Sequence, residues 1–261
     1  MGFVPMSSCL VRRFGFQLVC VLVFGMAWAV VAPSLVDGGQ IPHRSRKRGT
    51  PSAPWTVTII ESKSKNGGHI MDDEWRRVAQ AMGHKATVVG YDFLDNPSNL
   101  DRTDVLIVAS ALLPLERARV GAISRFLKNR GGVYLQTEYK VNFPGNVAYQ
   151  KLVSYFGGSI SWGNELSGDL QPVKVVGDIG RAPQKVEPLT YFWWGLDAKG
   201  SGLSPFLLGN KGQEVGWNFC AGSRPLMTTT DQDWIKDASQ HETSEALMKN
   251  IIDALARPCR R

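Results

Sequence analysis

The chain has 261 residues, above the usual single-domain length, so one large α/β domain with a tail, or two small domains, are the natural architectures. Hydrophobic residues make up 43%, aromatics 10% and charged residues 20%; this is enough apolar material for a core and too little charge for a solvated coil, which excludes a disordered or fibrous protein. The net charge of +7 is uneven: residues 1–50 hold six basic groups against Asp37 alone and the last five residues hold three more. The body is therefore near neutral and lacks the clustered Lys and Arg that phosphate binding needs, so no nucleic-acid partner is expected.

Taken from the start of the chain, Arg12-Arg13 precede an uncharged run from Phe14 to Val36, and Ala27-Trp28-Ala29 places small residues at the spacing a signal peptidase reads. Residues 1–36 thus read as a signal peptide cleaved after Ala29. The alternative is an uncleaved anchor, since 14–36 holds 23 residues and about 20 suffice to span a bilayer; membrane association through this run would follow. Either way the protein is expected outside the cytoplasm, periplasmic or secreted. Residues 37–54 carry Gly38-Gly39, Pro42, Pro51, Pro54 and the basic stretch Arg44 to Arg48 with almost no apolar periodicity, the composition of a linker.

From Trp55 the pattern alternates short β-branched runs with amphipathic helices, as in a parallel sheet covered on both faces. Thr56 to Ile60 is the first strand. After a polar loop, Asp72-Asp73-Glu74 opens a helix with negative charge at its positive end, running to about Met82. Strands are expected at Ala86 to Val89 and Asp104 to Val108, with a turn-rich stretch between them. Pro114 and Glu116 start a helix whose Val120, Ile123, Phe126 and Leu127 recur at helical spacing and which Gly131-Gly132 ends. Val133 to Gln136 is the fourth strand, followed by a helix from about Asn146 to Phe156 with Val147, Leu152, Val153 and Phe156 on one face.

Residues 159–227 read as an inserted β-rich region in which short runs such as Val173 to Val176 and Val215 to Trp217 alternate with Gly and Pro, and in which Trp162, Trp193, Trp194 and Trp217 concentrate. The chain returns to a strand at Pro225 to Thr228 and closes with a helix from Thr243 to Ala256, leaving residues 257–261 as a basic tail. Cleavage would remove Cys9 and Cys20, so Cys220 and Cys259 are the mature pair. A bridge between them suits an oxidising compartment, but a buried, unpaired Cys220 beside Trp217 and Phe219, with Cys259 in a frayed tail, is the preferred reading.

The strand from Asp104 to Ser110, the helix ending in Gly131-Gly132, the strand Val133 to Glu138, the Gly145-Asn146 helix ending in Phe156-Gly157-Gly158, and a final strand and helix carrying Asn250 together resemble the class I glutamine amidotransferase-like superfamily. The likeness spans residues 55–256 and is nearer to its exported, non-amidotransferase branches, of the trehalose-utilisation-protein type and related domains of unknown function. It implies an α/β, flavodoxin-like three-layer sandwich with a mostly parallel sheet of about six strands, interrupted by the β-rich insertion. Functional groups would then lie at the carboxyl ends of the strands.

Active members of that superfamily carry a Cys nucleophile on a sharp Gly-x-Cys-x-Gly turn after the strand that Val133 to Gln136 resembles. This chain reads Gln136-Thr137-Glu138-Tyr139 there, without the Cys or the glycines that expose it. The family's His-x-Glu would follow the last strand, where Thr229-Thr230-Asp231-Gln232-Asp233 stands instead. Glutamine hydrolysis by the family mechanism is not expected.

Polar groups still gather at the strand ends: Glu61 and Ser62, Ser110, Thr137 and Glu138, Asp231 and Asp233. Ser110, Thr137, Glu138, Asp231 and Asp233 are the candidate binding residues. Glu138 with Asp231 or Asp233 has the makings of an acid–base pair or a cation site, whereas carboxylates here commonly cap the next helix. The tryptophans suit either sugar stacking or core packing. No cofactor, metal or catalytic residue is assigned. The leading reading is an exported binding or assembly module for a protein or carbohydrate; the alternatives are a carboxylate-dependent hydrolase, perhaps acting on carbohydrate, and a sugar-binding module built on the tryptophans. Carboxyl groups facing one open cleft within about 10 Å would favour the hydrolase.

Overall fold

The computed structural model describes residues 54–62, 71–168 and 170–259. The apolar run 14–36 and most of the linker lie outside them, and among the described residues no helix is long and apolar enough to cross a membrane.

Four strands and three helices alternate first: β1 (Thr56–Ile60), α1 (Met71–Ala81), β2 (Lys85–Val89), β3 (Val105–Val108), α2 (Arg117–Asn129), β4 (Gly132–Leu135) and α3 (Pro144–Tyr155). The β-rich region follows as β5 (Ser161–Ser167), β6 (Lys174–Val175), β7 (Trp194–Lys199), β8 (Leu203–Leu208) and β9 (Glu214–Ala221), and the chain ends on β10 (Arg224–Thr229) and α4 (Glu242–Leu255). One sheet runs β2-β1-β3-β4-β10-β9-β8-β6. Its first five strands are parallel and its last three antiparallel, while β5 and β7 form a separate antiparallel pair.

The three layers follow from the two-residue period of the strands. Val57, Ile59, Val105, Ile107, Tyr134 and Met227 pack on one face with Trp75 and Val78 of α1 and Leu247, Met248, Ile251 and Leu255 of α4. Their neighbours Ile60, Leu106, Val108, Val133, Leu135 and Leu226 turn to the other face, against Ile123, Phe126 and Leu127 of α2 and Tyr149, Leu152 and Val153 of α3. Strands buried on both faces read as short apolar and β-branched runs, which is why β1, β3 and β4 were visible in the sequence.

Three expectations are corrected. The sheet has eight strands rather than about six, because most of the inserted region does not stand apart: β9 pairs with β10 and extends the sheet through β8 to β6. On α3, Val147 is exposed; Leu152, Val153 and the part-buried Phe156 pack on one core as expected, and Asn146, Ala148 and Tyr149 complete the inner face. Finally, Cys220 is bonded to Cys259, with Cα atoms 6.0 Å apart. The segment after α4 is no frayed tail there, since the Cys259 N–H also donates to the Ser223 carbonyl at 2.9 Å, holding the disulfide beside the β9–β10 turn.

Candidate functional site

The parallel strands β1, β3, β4 and β10 end at one edge, and the sequence places a polar residue after each. Ser62 accepts hydrogen bonds from the Met71 and Asp72 amides at 3.0 and 3.3 Å and donates to the Asp72 carboxylate, so it caps α1. The Ser110 hydroxyl accepts from the Leu112 amide at 3.1 Å, a local turn contact of the kind short hydroxyl side chains make. Both side chains are fully buried.

Under the edge of β4 and β10 lies a closed polar network. The Tyr134 hydroxyl donates to Gln136 Oε1 and bonds Thr229 Oγ1, each at 2.7 Å. Gln136 Nε2 reaches the carbonyls of Thr137, Thr229 and Asp231, and the Trp234 indole donates to Thr229 Oγ1 at 3.1 Å. Thr137 follows β4 in the turn Gln136-Thr137-Glu138-Tyr139. Its hydroxyl turns inward, donating to the Thr229 carbonyl at 2.8 Å and bonding Thr228 Oγ1 at 2.9 Å, and it is fully buried. Buried polar groups satisfied in this way fix the register of the two strand ends.

Glu138 and Asp231 are drawn together above that network. Glu138 Oε1 accepts from the Gln232 amide at 3.0 Å and Oε2 from the Tyr139 amide at 3.3 Å. Asn146 on α3 clamps the Glu138 backbone by accepting from its N–H at 2.9 Å and donating to its carbonyl at 2.7 Å. Asp231 Oδ2 accepts from the amides of Trp193 and Trp194 at 2.5 and 2.9 Å, and Oδ1 from the Asp233 amide at 2.7 Å. Asp231 thereby staples the start of β7 to the end of β10. Neither acid caps a helix: His241 sits at the N-cap of α4, ten residues beyond Asp231 in the chain, which corrects the capping alternative for Asp231 and Asp233. Asp233 is part-exposed.

Burial decides the charge of this pair. Glu138 is 5% and Asp231 1% exposed. Loss of solvent is the largest influence on both carboxyls and raises both pKa values. Glu138 is lifted well above the usual carboxylate range, first by burial and next by the Asp231 charge. Asp231 rises to about 7 despite its backbone hydrogen bonds, which favour the ionised form. The two acids therefore do not face an open cleft. Among the described residues, no group of three His, Cys, Asp or Glu side chains is placed to hold a metal ion.

What does face solvent here is aromatic, and only half of it was anticipated. The tryptophans divide: Trp217 is wholly buried, whereas Trp193 and Trp194 are 56% and 44% exposed. The Trp194 ring lies 5.5 Å from Tyr139, and Tyr139 in turn lies 5.6 Å edge-on to Phe143. Trp193 and Trp194, with Ser167, Gly168 and Gln171, line an open groove of about 420 Å³. Gln136, Asn146 and Tyr139 were not singled out in the sequence. The one available signal was the Trp-Trp-Gly triplet: consecutive bulky rings at a strand start cannot both enter the same side of a sheet.

No protein-family model matches the sequence, and no curated protein matches it. Solved structures share its fold at low identity. The mmIFT52 N-terminal domain aligns with a TM-score of 0.59 and 13% identity over 76% of this chain and 96% of that one. A ThuA-like protein from Bacteroides uniformis aligns with a TM-score of 0.52 and 13% identity over 79% of this chain and 94% of that one. The exo-beta-1,4-mannosidase Op5Man5 from Opitutaceae bacterium strain TAV5 aligns with a TM-score of 0.52 and 12% identity over 80% of this chain but only 37% of its own length. At this identity the likenesses show the fold alone: an α/β, flavodoxin-like fold with a mostly parallel central sheet, shared with the ThuA-like protein, here with a second antiparallel sheet.

Proposed function

We propose that this chain is an exported amidotransferase-like domain that lacks the superfamily's catalytic pair and acts as a binding module through its carboxyl strand edge. One observation carries the reading: Glu138 and Asp231, the acids that β4 and β10 bring together at that edge, are more than nine-tenths buried and committed to backbone amides. A general acid or a nucleophile must reach its substrate. The acids here serve the scaffold, and the solvent-facing groups beside them are aromatic rings, which recognise rather than react.

Two further observations support it. Both cysteines among the described residues are bonded to each other, so neither offers a thiolate for the superfamily's chemistry. That disulfide also favours an oxidising compartment, in keeping with the N-terminal targeting pattern. The hydrolase alternative loses its main support with the burial of Glu138 and Asp231. The test is turnover: purified native protein incubated with glutamine, and separately with aryl glycosides, should release neither ammonia nor phenol above the buffer rate. Turnover that disappears in Glu138→Gln would defeat the proposal.

A further inference from the structure

We propose that the Trp193–Trp194 groove binds a neutral carbohydrate. The proposal rests on the binding-module reading and names its ligand class. Among the described residues these two are the exposed tryptophans, and they stand side by side at one groove. Leaving two indoles about half in water forgoes part of the burial that a Trp ordinarily gains. A groove of about 420 Å³ falls in the range of small-molecule sites.

The lining selects the class of ligand. Among the described residues it comprises two indoles, the Ser167 hydroxyl, the Gln171 amide and the bare backbone at Gly168. These groups offer ring faces and neutral hydrogen-bonding atoms rather than a countercharge. A sugar ring meets both halves of the lining, because its C–H face is electropositive and lies on the electron-rich face of an indole, while its hydroxyls exchange hydrogen bonds with a serine and an amide. Gly168 adds room, since a Cβ built there would meet nothing within 4 Å.

The platform is also held ready. Asp231 Oδ2 fixes the two consecutive amides of Trp193 and Trp194, the Gln171 Nε2 donates to the Phe192 carbonyl at 2.6 Å, and Tyr139 lies against the Trp194 ring. Backbone ties on residues 192, 193 and 194 mean that little ordering entropy is lost when a ligand docks, and such preorganisation is what raises affinity at a shallow site.

The experiment titrates purified native protein with maltotetraose, cellotetraose and mannotetraose at up to millimolar concentration, by calorimetry and by tryptophan fluorescence. Chromatography of each mixture after overnight incubation looks for shorter products. At least one sugar should bind saturably, and Trp193→Ala should weaken it at least tenfold with an unchanged melting temperature, since that ring is exposed. Trp194→Phe, which keeps a ring, should weaken it less than Trp194→Ala. Absence of saturable binding by all three sugars, or equal binding by Trp193→Ala, overturns the carbohydrate assignment, as does saturable binding of an apolar peptide that the same variant abolishes when no sugar binds. Saturable binding with shortened products would instead uphold the sugar site and defeat the binding-module reading.

Discussion

Asp231→Asn should flatten the dependence of stability on pH. In the folded protein the Asp231 pKa is pushed up to about 7, chiefly by burial, against about 4 for an aspartate in the unfolded chain. Between those values the folded state holds a proton that the unfolded state has released, so stability is fully present below about pH 4 and is lost as pH rises through 7. The slope is on the order of 1 kcal/mol per pH unit, and the whole effect on the order of 4 kcal/mol, an upper bound for a site that water can reach transiently. Asparagine carries no such proton. It keeps one acceptor oxygen but aims an N–H₂ at a backbone amide that Asp231 satisfied, either Asp233 or the Trp193–Trp194 pair, at a cost of about 1–3 kcal/mol. The variant should therefore be less stable than the parent at pH 5 and lose that deficit, or reverse it, by pH 8. Urea unfolding followed by tryptophan fluorescence at pH 4.5, 5.5, 6.5 and 7.5 reads both curves. Glu138 titrates in the same direction and leaves the variant a residual slope. Parallel curves across that range would refute the account of Asp231 as a buried acid protonated near neutrality.

Glu138→Gln should lower stability by about 1–2 kcal/mol, because an amide can accept from only one of the Tyr139 and Gln232 amides; a melting temperature unchanged with sugar binding lost would move Glu138 from the scaffold to the ligand. Reducing Cys220–Cys259, which closes a separation of 39 residues, should cost about 4 kcal/mol on the chain-entropy estimate, measured as the shift in urea midpoint with and without reductant, and alkylation of Cys220 and Cys259 in the denatured, unreduced native protein, located by peptide mapping, would contradict the bridge. N-terminal sequencing of the native protein should begin near Val30, as the Ala27-Trp28-Ala29 site directs; an intact Met1 in a soluble cytoplasmic fraction would exclude export.

The parts of the fold legible in the sequence are those where a single period dominates. Buried strands β1, β3 and β4 are short runs of apolar and β-branched residues, and α2 and α4 each carry one apolar stripe, so their positions follow within a residue or two. The insertion was legible in kind but not in place. Whether β9 joins the main sheet depends on pairing Leu226 with Phe219 and Thr228 with Trp217 across a hairpin, and the same alternation would serve a separate sheet. Val147 was misplaced for a related reason. The inner face of α3 is completed by Asn146 and Ala148, whose small or polar side chains leave no mark on an apolar pattern.

The site was legible as a set of positions and misread in its roles. Carboxylates after β4 and β10 follow from topology, since parallel strands deliver their last residues to one edge. Their direction does not. Glu138 and Asp231 turn inward because backbone amides at Tyr139, Gln232, Trp193, Trp194 and Asp233 need acceptors, and those amides come from segments far apart in sequence. A consequence follows for the aromatic pair. Trp193 precedes and Trp194 begins a strand that, among the described residues, pairs with β5 in a two-stranded arm outside the main sheet, and such an arm is weakly held by its own hydrogen bonds. Asp231 ties the start of that strand to the main sheet, beside the Thr230 hydroxyl that accepts from the Leu196 amide at 3.0 Å, so the acid that looked like a catalyst helps to hold the exposed rings in place. Substituting it should disturb the rings and the stability together, whereas substituting Trp193 should touch the groove alone.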